Sequence, residues 1–239
     1  AGGARRLLPE SFAGMAAADV DAADLVERVL RGACPLQELE RHDTNLGSWR
    51  GPSARAPLLL AVGGAHAGLV ELLLRRRANP ETPSENGAMP LHLAAFDGRQ
   101  DIVQLLLEGR ASPDARDRHG QTALFFSPTS AMCSQLAAAS ADINAVNYKG
   151  QTAMHLAAHG GLADTAAWLA RHGARGLVDW KDGHGRTAAY MAVKHGKQAT
   201  VAMLKAHGAD LKVKPLRRPG SHRSHRRRRG SADGPGRRG

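Results

Sequence analysis

Apolar residues in the middle of the chain fall into two alternating kinds of short run. One is built from Leu and Ala, as in Leu58-Leu59-Leu60-Ala61, Leu91-His92-Leu93-Ala94-Ala95 and Leu156-Ala157-Ala158; the other places leucines on one side of a mixed segment, as in Val70-Glu71-Leu72-Leu73-Leu74 and Ile102-Val103-Gln104-Leu105-Leu106-Leu107. The spacing predicts a thin inner helix followed by an outer helix packed antiparallel to it. The pair recurs. Ala56-Pro57-Leu58-Leu59-Leu60-Ala61 is answered 33 positions later by Met89-Pro90-Leu91-His92-Leu93-Ala94, and Arg77-Ala78-Asn79-Pro80-Glu81 by Arg110-Ala111-Ser112-Pro113-Asp114. Gly87, Gly120, Gly150 and Gly185 each stand two residues before Met, Thr, Thr and Thr, at separations of 33, 30 and 35. A helix pair this small cannot bury its own apolar face, so stacking against the next pair must do it.

These segments resemble the ankyrin repeat, whose unit carries a G-x-T-P-L-H-x-A-A half and an I-V-x-L-L-L-x-x-G-A-D-x-N-A half. Gly87-Ala88-Met89-Pro90-Leu91-His92-Leu93-Ala94-Ala95 departs from the first half by Met for Thr, and Gly150-Gln151-Thr152-Ala153-Met154-His155-Leu156-Ala157-Ala158 by Ala for Pro and Met for Leu. Ala141-Asp142-Ile143-Asn144-Ala145 and Gly208-Ala209-Asp210-Leu211 match the second half. The resemblance implies an all-α solenoid of stacked helix-turn-helix units with short hairpin loops, roughly five imperfect repeats over residues 52–213. Thr122, Thr152 and Thr187 are expected to cap inner helices through their hydroxyls. Gly173 and Gly208 are expected to end outer helices with positive φ.

Outside the solenoid, residues 1–18 read as unstructured and 19–51 as a helical cap or degenerate repeat. In that cap, 21–30 is the helix, with Asp19 or Asp21 as N-cap, and 36–51 an exposed connection. Residues 214–239 read as a disordered Arg-rich tail. Because the chain begins with Ala, it is expected to be a fragment or processed product. The third repeat, 117–146, is the deviant one. Phe125-Phe126-Ser127-Pro128 stands where His-Leu-Ala-Ala belongs, so the inner helix is expected to end near Phe126 and the outer helix, 131–139, to be abbreviated.

Composition narrows the chemistry. Aromatic residues make up only 4% of the chain, so Ala, Leu, Val and Met must form the core. The longest uncharged apolar run, Pro57 to Val70, holds three glycines and falls well short of the roughly 20 residues that cross a bilayer; no membrane partner is expected. Cys34 and Cys133 are too far apart in sequence, and too isolated, to suggest a disulfide framework or metal motif. Net charge is +11, but the ten basic residues and one acid from Lys214 onward carry +9 of it, leaving a nearly neutral body. Within that tail, Arg217, Arg218 and Arg226, Arg227, Arg228 and Arg229 resemble a nuclear-localisation signal and equally suit a nucleic-acid patch. Cytoplasmic and nuclear locations both stay open.

No phosphate loop, nucleophile elbow or kinase signature is present. His155 and His159 are four apart but lack the Glu and third ligand of a zinc site. His92 and His155 occupy the signature His, where the resemblance implies bonding to backbone in the neighbouring turn. Cys133 is expected to be a buried structural thiol. No catalytic residue, metal or cofactor is assigned, and the chain reads as a non-catalytic, monomeric adaptor or recognition module. The resemblance implies that a partner protein is bound by hairpin tips and adjoining inner-helix positions. By register the tips are Arg116, Arg118, His119, Val146, Tyr148, Lys149, Trp180 and His184, and the inner-helix positions Phe96, Asp97, His159, Lys194 and His195. The alternative is a nucleic-acid-associated or nuclear regulator acting through the tail. Since a disordered segment adds little burial, deleting 215–239 should leave the thermal unfolding midpoint unchanged; a clearly earlier melt would show the tail packed on the last repeat.

Overall fold

The computed structural model describes residues 25–41, 56–173 and 176–212. Residues 25–30 are helical and are followed by α1 (Leu36–Arg41). Helix pairs then succeed one another: α2 (Pro57–Gly63) with α3 (Ala67–Arg75), and α4 (Pro90–Phe96) with α5 (Gln100–Glu108). A single 3-10 turn, Ala123–Phe126, pairs with α6 (Ser130–Ala138). The last two pairs are α7 (Ala153–Gly160) with α8 (Ala163–His172), and α9 (Ala188–Lys194) with α10 (Gln198–Ala206). No strand occurs among the described residues; one isolated bridge joins Val146 to Thr152.

Each inner element packs on the inner element of the next pair, and each outer helix on the next outer helix. The result is two stacked layers with one continuous core between them, in which Leu58, Leu73, Leu91, Ile102, Leu106, Leu124, Met132, Leu136 and Met154 are fully buried. Alanines 94, 95, 157, 158, 189 and 192 are buried on the inner layer and let those helices approach closely. Trp168 takes the buried place of an outer-helix leucine and stacks on His172, ring centroids 4.3 Å apart. Cys34 and Cys133 are buried free thiols, and burial pushes the Cys133 thiol up to about 11, out of the range of a nucleophile.

Four sequence expectations are corrected. Residues 36–41 form a helix whose Leu39 is fully buried and whose Leu36 packs toward Gly68, so that part of the cap is core rather than exposed connection; residues 42–51 lie outside the described residues, as do 1–18, the caps Asp19 and Asp21, and the tail from 214. The outer helix of the third pair is not abbreviated. Its nine residues equal those of α5, because Pro128 sits in the connecting loop and Thr129 caps the helix by accepting from the Met132 amide at 3.3 Å. The inner element does end at Phe126, as one 3-10 turn.

The third correction concerns Thr122. The Thr187 hydroxyl accepts from the Tyr190 amide at 3.2 Å and Thr152 is bonded to His155, but the buried Thr122 hydroxyl has no partner among the described residues. Phe125 stands where Thr152 finds a histidine. The fourth is Gly173, which is extended at φ −75° rather than left-handed; a Cβ there would meet the Leu169 carbonyl oxygen at 2.8 Å as well as the movable Leu177 side chain, so close approach to backbone favours glycine.

The left-handed position that ends the outer helices falls instead on Arg77, Arg110, Ser140 and Gly208, with φ of 61°, 67°, 69° and 85°. Only the last is glycine. A side chain there costs about 1 kcal/mol, partly offset because glycine loses more entropy on folding. Arg110 and Ser140 are exposed, so Arg110→Gly and Ser140→Gly should each raise the denaturant midpoint by up to about 0.5 kcal/mol equivalent, and Gly208→Ala should lower it.

Candidate functional site

Three of the four loops between pairs share one construction, in which a buried Asp or Asn opens the tip and turns its Oδ1 back onto two amides; at the first tip the Ser84 hydroxyl accepts from the Ala88 amide alone, at 3.1 Å. Asp117 accepts from His119 and Gln121, each at 2.8 Å; Asn147 from Lys149 at 2.9 Å and Gln151 at 3.0 Å; Asp182 from His184 and Arg186, each at 2.9 Å. Burial alone would raise Asp182, but the Arg186 side chain, 2.6 Å from its Oδ2, and the amides of Arg186 and His184 outweigh it and hold the carboxyl below its usual value. These residues went unassigned in the sequence reading, although the Asp/Asn-x-x-Gly spacing at 117–120, 147–150 and 182–185 carries the signal.

Neighbouring tips are then tied into a strip. The Tyr148 amide donates to the His119 carbonyl at 3.1 Å and the Gly183 amide to the Lys149 carbonyl at 2.9 Å. Arg116 donates to the carbonyls of Gly120 and Val146, Arg118 to that of Glu85, and the Trp180 indole to that of Gly150 at 3.1 Å.

Two histidines lock tips to inner helices. The Met89 amide donates to His92 Nδ1 at 3.0 Å, which puts the proton on Nε2 and lets it donate to the Gln121 carbonyl at 2.9 Å in the next tip. His155 repeats this, accepting from the Thr152 amide at 3.2 Å and donating to the Arg186 carbonyl at 3.0 Å. Both ring nitrogens are committed to backbone, so neither imidazole is free to bind metal or move a proton. Among the described residues no group of three or more His, Cys, Asp or Glu converges.

Twelve of the thirteen positions assigned from sequence to the tips and inner-helix ends are exposed; Val146 is half-buried and bridged to Thr152. Among the described residues Phe96 and Tyr148 are the most open aromatics, 67% and 75% exposed. Phe96 meets the edge of Phe126 at 6.4 Å, while Tyr148 lies over Gly120 and helps line a cleft of about 170 Å³ with His119, Asn147 and Lys149. His159 and His195, from successive inner helices, meet edge to face at 4.2 Å, beside Lys194. Trp180 is 46% exposed; its indole bond to Gly150 and the burial of Leu177 fold it partly back on the stack. The twelve thus form two groups, tips and inner-helix ends, rather than one pocket. A larger groove of about 450 Å³ between α2 and α4, lined by Leu59, Leu60, Gly63, Gly64, Glu85 and Leu93, was missed from sequence because its residues read as ordinary core leucines.

A family model described as ankyrin repeats (3 copies) matches residues 58–128 and 123–215, and the chain belongs to the ankyrin-repeat family. Proteins of this family are generally protein-interaction modules and typically non-catalytic. No curated protein matches the chain. No helix among the described residues is long and apolar enough to cross a membrane.

Burial holds His92 and His155 below the ordinary imidazole value of 6.5, against the raising effect of their carbonyl bonds. The unfolded chain therefore binds protons below about pH 6.5 that the folded chain refuses. The unfolding midpoint should be flat above that pH and fall as pH drops through it. In melts followed by circular dichroism, the His92→Asn/His155→Asn double variant should start lower and lose less on acidification; an equally steep fall would remove these imidazoles as the cause.

Proposed function

We propose that this chain is a non-catalytic adaptor or recognition module that binds a partner protein along the hairpin tips and inner-helix ends. The observation that carries the reading is the exposure of Phe96 and Tyr148, large apolar rings that the stack does not require and that a partner would cover. The tips are pre-ordered by Asp117, Asn147 and Asp182, so binding would cost little loop ordering. A second reading is supported by the +9 carried beyond residue 213: the tail would serve nuclear entry or polyanion binding independently of the solenoid.

The test is affinity capture with the full chain and its variants. Phe96→Ala and Tyr148→Ala should each weaken capture by about 1 to 3 kcal/mol without lowering stability, and Trp180→Ala by less, because part of that ring serves the stack. Trp168→Ala, the buried control, should destabilise by about 3 to 5 kcal/mol. Unchanged capture by the Phe96→Ala/Tyr148→Ala double variant would refute the assignment of this face.

A further inference from the structure

The exposed face is not chemically uniform along the stack. Its N-terminal part carries the exposed acids Glu85 and Asp97. Residues 148–161 contain no Asp or Glu, and 180–197 contain only Asp182, which is buried and already held by Arg186 at 2.6 Å. Over the same segments stand Lys149, Lys181, Lys194 and Lys197, none of which forms an ion pair among the described residues. His159, His184 and His195 are exposed between them. Lys197 lies along Gly161 and so sits beside the His159–His195 pair.

His195 is held below its ordinary value first by lost hydration and then by the charges of His159, Lys194 and Lys197. The cations crowd one another, and among the described residues no carboxylate forms an ion pair with any of the four lysines. Apolar surface interrupts the charge at Tyr148, Trp180 and Val193, all exposed. The tail is itself cationic and would be repelled from this face.

We infer that the last two helix pairs bind an acidic, extended segment of another protein, its carboxylates on Lys149, Lys181, Lys194 and Lys197 and its apolar side chains against Tyr148, Trp180 and Val193. This rests on the interaction-module reading and specifies its partner chemistry. Carboxylates fit because they relieve the unpaired cations, and an interspersed apolar residue fits because the aromatic rings break the charge into separate clusters. A phosphate backbone would match the charge but leave the exposed Val193 and the edge of Trp180 uncovered.

A random peptide library is selected on the immobilised 239-residue chain. Enriched peptides are then titrated by fluorescence anisotropy against wild type, a patch variant (Lys149→Gln, Lys181→Gln, Lys194→Gln, Lys197→Gln) and a tail variant (Arg226→Gln, Arg227→Gln, Arg228→Gln, Arg229→Gln). Lys149→Glu and Lys194→Glu single variants give the same reading should the quadruple variant fold poorly. Supporting results are net-negative peptides containing apolar residues, weakened about tenfold or more by the patch variant and unchanged by the tail variant. Loss of binding in the tail variant alone would overturn the inference. Neutral or basic peptides that depend on Phe96 or Tyr148 would overturn it while leaving the interaction-module reading intact. Peptides indifferent to every variant of this face would overturn both. An oligothymidylate binding the patch as tightly as the peptides would make nucleic acid the occupant and overturn the protein-segment assignment.

Discussion

No helix pair in this chain can bury its own apolar surface, and the architecture follows from that constraint. Inner helices of seven or eight residues, one inner 3-10 turn of four, and outer helices of nine or ten are too short to persist alone in water. They persist because each is covered by its neighbours, the interior pairs on both sides: Leu91 and Leu106 lie in a core that runs through the whole stack. Stability is then close to a sum of neighbour interfaces, and a poor repeat is carried by the ones beside it. The third pair illustrates this. Its inner element is a single 3-10 turn, yet Leu124, Phe125, Met132, Cys133 and Leu136 are all buried.

The layers are held in register by a small set of directional bonds. Neutral His92 and His155 each reach from one helix to the next tip, and Asp117, Asn147 and Asp182 shape the tips they reach. On the outer connections the Glu81 carboxylate accepts from the Ser112 amide at 2.6 Å, Asp114 from Asp142 at 2.8 Å and Asp179 from Asp210 at 3.0 Å. These acids spend their charge on backbone within the stack. The lysines of the last two pairs have no such use, and the contrast between the two sets gives the exposed face its chemical direction.

Much of this was legible in the sequence. The period near 33, the alternation of Ala-rich and Leu-rich runs and the Pro-Leu-His segments specify an all-α repeat stack, and the break at Pro128 places the shortened inner element. These are local signals, because helix period, turn chemistry and Pro geometry act within a few residues. The exposure of the tip and inner-helix positions was also readable, since register alone assigns them to the surface.

Tertiary structure decided what depends on neighbours distant in sequence. His92 and His155 find the carbonyls they donate to in the next tip, at Gln121 and Arg186, 29 and 31 residues away. Leu39 is core because a helix farther along the chain covers it, and Trp180 is part structural because Gly150, thirty residues back, offers it a carbonyl. The sequence determined the repeat and its surface; which residues were already committed to one another, and which charges remained free, came only with the stacking that brings separate repeats together.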